Sequence, residues 1–102
     1  MPTHKALGHA CFALSSETHT VIFDPWLSGN PEAAMGPDDV QADALLVSHG
    51  HSDHLGDAIA IALRLDIPII APYELAMYCA RQGATVHAMH IGGGATYDFG
   101  YV

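Results

Sequence analysis

The sequence predicts a mixed fold, α/β or α+β, with helices layered on one sheet. Three observations carry this. The N-terminal part reads as short strands separated by glycine and polar turns. Residues 44–47 form a continuous apolar run of strand length, suited to a strand covered on both faces. Beyond it, apolar segments of helix and strand length alternate. The 102 residues suit a single domain, 1–102.

Residues 4–7 and 10–15 are strand candidates around Gly8, Ser16-Glu17-Thr18 is a turn, and residues 20–23 are a β-branched and aromatic strand. The next segment contains Pro25, Gly29, Asn30, Pro31, Gly36 and Pro37, which excludes regular structure. After the 44–47 strand comes the polar loop Ser48-His49-Gly50-His51-Ser52-Asp53-His54-Leu55-Gly56. Residues 57–65 predict a helix, with Asp57 as its N-cap and Pro68 as its stop. Residues 67–71 predict a strand, and 73–82 a second helix closed by Gly83. Residues 85–90 predict a strand, Gly92-Gly93-Gly94 a turn, and 95–99 the start of a further strand.

Composition narrows the function classes. Three basic residues (Lys5, Arg64, Arg81) face eleven acidic ones, a net charge of −8. That balance argues against nucleic acid or an anionic membrane as partner, because no basic patch exists to neutralise phosphates. The apolar runs are too short to span a bilayer, and no signal-peptide pattern follows Met1, so a cytoplasmic protein is expected. Cys11 and Cys79 are then expected to be reduced and buried rather than bridged. The unusual feature is the number of histidines, eight.

Four of the chemistry-bearing residues form the pattern His-x-His-x-Asp-His: His49, His51, Asp53 and His54. With this chain's histidine and aspartate content, chance would produce the pattern in about four sequences in a thousand. It falls between a buried strand and a helix, where a scaffold holds loops rigidly. His49 and His51, two apart in an extended segment, project to the same side and can grip one divalent ion. Asp53 and His54 can grip a second. Two ions about 3.5–4 Å apart can share a hydroxide and hold both ends of a displacement at carbon or phosphorus. Imidazole and carboxylate suit Zn, Mn, Fe or Ni. The competing view is a solvated histidine loop capping a helix, with Asp53 as a surface acid.

The residues 48–56 resemble the hallmark motif of the metallo-β-lactamase superfamily. The resemblance extends to Leu7-Gly8-His9-Ala10-Cys11-Phe12, to Phe23-Asp24-Pro25-Trp26-Leu27-Ser28-Gly29-Asn30-Pro31, to Tyr73-Glu74-Leu75-Ala76 and to Ile91-Gly92-Gly93. These segments are similar to a branch of bacterial and archaeal metal-dependent hydrolases akin to ascorbate-6-phosphate lactonase. The resemblance implies the N-terminal half of a four-layer αββα sandwich. It implies that a further His, a bridging Asp and another His come from a second half that this chain lacks. It makes Asp24 a carboxylate supporting the metal-loop histidines, where a turn-forming Asp before Pro25 is the plainer reading.

Other residues are less decisive. His9 either faces the substrate or the metals, or is a hydrogen-bonded residue at a strand end. Trp26, Ser28 and Asn30 form either a substrate rim or an ordinary packed loop. His87 and His90 flank Met89 without a third ligand, so a structural role is expected. His4 and His19 read as surface residues, and the Gly92–Gly94 run carries only a weak phosphate-loop signal.

The expectation is a metal-dependent hydrolase in which a metal-bound hydroxide attacks an ester, lactone, phosphoester or amide of a small molecule. Asp53 would bind the second ion and hold the hydroxide in line. The alternative is a non-catalytic metal-binding or assembly half-domain. Apolar residues on both sides of strands 44–47 and 67–70 imply a covering partner, either a second copy in a homodimer or a complementing C-terminal half.

Overall fold

Period-two alternation of burial is visible in the second strand, Cys11–Ser15, of the computed structural model, which describes residues 3–89, 93–97 and 100–102. His90, Gly92 and Phe99, placed by the sequence in a strand end, a glycine turn and a strand, lie outside the described residues. Strand β1 (Thr3–Gly8) pairs antiparallel with β2 (Cys11–Ser15), and β2 pairs antiparallel with β3 (Thr20–Phe23). From β3 onward the sheet is parallel: β4 (Ala44–Leu46), β5 (Ile69–Ala71) and β6 (Val86–Ala88) add in turn. Strand order equals chain order, β1-β2-β3-β4-β5-β6. This is the mixed α/β architecture that the alternating apolar segments predict.

Between β4 and β5 lie α1 (Ser52–Leu55) and α2 (Ala58–Leu65); α3 (Tyr73–Arg81) joins β5 to β6. Helix α2 buries Ala58, Ile61 and Ala62, with Leu65 packed beside them, the spacing of one helical stripe. Helix α3 buries Ala76 and Cys79. These side chains join Ile22, Leu45, Ile69 and Ala71 in one core between helices and sheet. Each fully buried Ile or Leu there contributes about 1.5–3 kcal/mol by leaving water. Arg64 fastens a one-turn 3-10 helix (Pro37–Asp39) to α2, its guanidinium donating to the carbonyls of Val40 (2.6 Å) and Pro37 (3.0 Å).

The alternate side chains point to the other face of the sheet. Val21, Ala44 and Ile70 form a small second cluster there, flanked by half-buried Phe23, Leu46, Met89 and Tyr97. An apolar groove of about 440 Å³ remains open on this face, between stacked Phe12 and Phe23 (centroids 4.6 Å apart) and Pro72 and Met89.

Several expectations shift. The segment expected to be loop contains a helical turn, α1, with His51 at its N-cap. Asp57 takes the N-cap position of α2 as expected, but its carboxylate makes no capping hydrogen bond. The helix ends at Asp66, in the left-handed region (φ +55°), before Pro68 is reached. Strand β5 starts at Ile69 because Pro68 has no N–H for the ladder. The strand expected near the C-terminus does not extend the main sheet; Thr96–Tyr97 (β7) pairs with Gly100–Tyr101 (β8) as a separate hairpin.

Candidate metal centre

The site lies at the carboxyl ends of the parallel strands, where open α/β sheets present their loops to ligands. Asp24 immediately follows β3, and its N–H continues the ladder to the Leu46 carbonyl (2.8 Å). Its backbone is left-handed (φ +45°), a conformation Asp tolerates better than most residues. The residue is only 8 % exposed, so its carboxylate requires partners. It has three. Oδ1 accepts the Ser48 N–H (2.7 Å), and Oδ2 accepts both the Ser48 hydroxyl (2.7 Å) and His54 Nδ1 (2.9 Å).

These contacts set the tautomers of two histidines. His54 Nδ1 must carry a proton to donate to a carboxylate, so in the neutral ring it is Nε2 that holds the free lone pair. The single hydroxyl proton of Ser48 goes to Asp24, so the 2.8 Å contact between Ser48 Oγ and His49 Nδ1 is a bond donated by the ring. His49 therefore also presents an unprotonated Nε2. The His49 ring lies 4.0 Å from that of His54 and 4.7 Å from that of His51, centroid to centroid. Asp53 Oδ1 stands 3.8 Å from His54 Nε2. Two imidazoles whose Nδ1 atoms are engaged by Asp24 and Ser48, beside a carboxylate, are the donor chemistry of a divalent transition-metal site, so the residues fit such an ion.

His9 also reaches this cluster. Its Nε2 is 3.2 Å from Asp53 Oδ2, and its ring meets Trp26 and His54 edge-on, each at 5.4 Å. Ligand atoms of His9, Asp53 and His54 lie within 4.8 Å of one another. Among the described residues these three form the group of ligand atoms that converges; the His49 ring lies tilted against His54 and meets His51 edge-on, outside that small volume.

A second set of contacts holds the metal loop against the segment after Asp24. Asp57 Oδ2 accepts the N–H groups of Leu27 and Ser28, both at 2.8 Å, and the Asp57 N–H donates to the Pro25 carbonyl (2.9 Å). Gly56 adopts φ +48° and ψ −120°, and a Cβ there would stand 2.4 Å from Trp26 Cα. Only glycine permits both the dihedrals and the approach. Sequence reasoning passed over Ser48 and assigned Asp57 to capping. For Ser48 the available signal was its position directly before the first histidine; for Asp57 there was none, since its partners lie thirty residues away.

The remaining candidates separate from the site. Asn30 is an internal brace of the loop, its side chain accepting from Glu32 N (2.9 Å) and donating to the Trp26 carbonyl (3.0 Å). The His87 ring packs edge-on against Tyr97. Cys11 and Cys79 are free and buried. Burial, and then the negative charges of Asp24 and Asp57, push the Cys11 thiol up to about 11, so it stays protonated at neutral pH and is no nucleophile.

Residues 4–101 match the family model of the metallo-beta-lactamase superfamily. A UPF0173 metal-dependent hydrolase of Desulfitobacterium hafniense is 53% identical over 96 residues, covering 93% of this chain and 41% of that protein. The UPF0173 metal-dependent hydrolase YtkL of Bacillus subtilis is 46% identical, with 93% and 42% covered. Among solved structures, the metallo hydrolase Igni18 of the archaeon Ignicoccus hospitalis superposes with a TM-score of 0.85 at 25% identity, over 95% of this chain and 43% of that one. The chain thus spans about two fifths of the length of the relatives it matches.

Proposed function

The chain belongs to the metallo-beta-lactamase superfamily, and from that premise we propose that its 102 residues carry the metal-gripping part of a metal-dependent hydrolase. The observation that carries the proposal is the Asp24–Ser48 network, which leaves Nε2 bare on both His49 and His54 beside Asp53. His49 and His51 would hold one divalent ion, Zn, Mn, Fe or Ni, and Asp53 with His54 a second. Such ions, when bound, lower the pKa of water and polarise a carbonyl or phosphoryl oxygen. The residues of this chain would bind and orient them. Asp24 and Ser48 hold the rings of His54 and His49 through their Nδ1 atoms, and Asp53 would supply the negative charge that a bound cation needs.

The substrate class is a small molecule carrying an ester, lactone, phosphoester or amide. Superfamily membership alone does not choose among them. Cytoplasmic residence accords with the free cysteines, and no helix among the described residues is long and apolar enough to cross a membrane. The further ligands, a His, a bridging Asp and a His, would come from the part of the relatives' length that this chain does not span.

A second reading has its own observation. The open apolar groove on the face of the sheet away from the helices supports a metal-binding or assembly half-domain that turns over substrate only when covered. Its cover would be a second copy or a complementing C-terminal half.

The test is metal binding by the metal-free chain, followed by Co(II) or Zn(II) titration and measurement of the bound ratio. One or two equivalents are expected, with loss of binding in His54→Ala and His49→Ala. A chain that takes up no ion, or binds equally well without either histidine, would overturn the proposal. With lactone and phosphodiester substrates the loaded chain alone should turn over slowly.

A further inference from the structure

We propose that His9 is itself a metal ligand, completing with Asp53 and His54 a three-donor site built wholly within this chain. The proposal rests on the metal-binding reading above and deepens it.

The first argument is convergence. Asp53 turns one oxygen toward His54 Nε2 and the other toward His9 Nε2, at 3.8 and 3.2 Å. Ligand atoms bound to one Zn(II) in tetrahedral geometry lie about 3.4 Å apart, given bond lengths near 2.1 Å. The observed atoms lie within 4.8 Å of one another, so closure around an ion needs only small side-chain rotations. One carboxylate and two imidazoles suit a divalent cation, and the exposure of His9 leaves the fourth position open to water.

The second argument is how much of the fold is devoted to placing His9. It occupies the apex of the β1–β2 turn with φ +55°, a backbone conformation that residues bearing a side chain rarely adopt. Gly8 beside it (φ +119°) rests directly on the Glu32 carbonyl, where a Cβ would stand at 2.6 Å. The Leu7 carbonyl accepts the Ala34 N–H (3.0 Å). On its other side the ring abuts Trp26, whose Cα lies against Gly56 and whose chain neighbours Pro25 and Leu27 are hydrogen-bonded to Asp57. A surface histidine with no ligand to meet requires none of these supports.

The experiment compares the full chain with His9→Gly. Glycine suits φ +55° better than histidine, so the variant should fold at least as stably, which thermal melting would check. Cobalt(II) titration should show the ion of the Asp53 site bound at least tenfold more weakly, with an altered d–d absorption spectrum. Millimolar imidazole should restore that spectrum by filling the vacated position. In an Asp53→Ala chain, His9→Gly should produce no further loss. If His9→Gly binds cobalt with unchanged affinity and spectrum while Asp53→Ala does not, His9 is only a neighbour of Asp53 and this inference fails while the metal-binding reading stands. If the unaltered chain binds no cobalt at all, both fail.

Discussion

Replacing Asp24 by Asn is the sharpest probe of how the site is prepared, because it keeps the shape and the left-handed backbone while changing which atoms donate. If the amide NH₂ faced the Ser48 N–H, two donors would meet at 2.7 Å, so the amide oxygen must take that side. The NH₂ then faces Ser48 Oγ and His54 Nδ1, where an acceptor stood before. His54 can meet a donor only by moving its proton from Nδ1 to Nε2, the nitrogen turned toward Asp53. A ligand that must shed or move a proton binds less tightly. Loss of such a supporting carboxylate typically weakens metal affinity 10–100-fold, or about 1.4–2.7 kcal/mol. Nitrogen-15 NMR of the imidazoles should show His54 changing tautomer in Asp24→Asn. Titration with Co(II) should show the weaker binding, while His51, which is not among the hydrogen-bond partners of Asp24 in the described residues, keeps its signal. An unchanged His54 tautomer together with unchanged cobalt affinity would refute the reasoning.

Two other expectations follow from packing. Gly56→Ala places a Cβ 2.4 Å from Trp26 Cα at a backbone conformation closed to alanine, so urea denaturation should report a loss of about 2–5 kcal/mol, combining strain and overpacking. A loss under 1 kcal/mol would mean that the contact between the metal loop and Trp26 yields easily. The open apolar face of the sheet should make the isolated chain self-associate at micromolar concentration, seen as a mass above 10.8 kDa by light scattering; a well-folded monomer would contradict this.

How legible all this was in the sequence varied with the range of the interactions. Strand β4, the histidine motif and helix α2 could be read because local pattern decides them: a continuous apolar run, four ligand-type residues at fixed spacing, and Ala58, Ile61, Ala62 and Leu65 on one stripe. The turn of helix at Ser52–Leu55 could not, since Ser52, Asp53 and His54 are polar and Leu55 alone makes no apolar period. Asp57 does take the N-cap position, the commonest local place for Asp at a helix start, but not the capping hydrogen bond expected with it. The structure gives its carboxylate to Leu27 and Ser28 instead, and no local rule anticipates a partner that only tertiary folding brings near. His9 was ambiguous for the same reason. Its approach to Asp53 depends on the β1–β2 turn and the Trp26 loop meeting the motif in space. The C-terminal hairpin differed from expectation because two short strands satisfied each other rather than the edge of the main sheet.

The identity of strand order and chain order bears on synthesis. Each strand of the main sheet docks beside the one made just before it, so the sheet can grow at one edge as the chain leaves the ribosome, with no strand inserted later between two others. The hydrogen bonds and ion pairs described above for the candidate centre fall between His9 and Asp57; the hydrogen bonds span up to thirty residues and the His9–Asp53 pair spans 44. The histidines can therefore be locked in their ligating tautomers by Asp24 and Ser48 while β5, α3 and β6 are still being made. A newly made chain would then encounter the cell's metal pool with its first donors already arranged, and capture of an ion could precede completion of the fold.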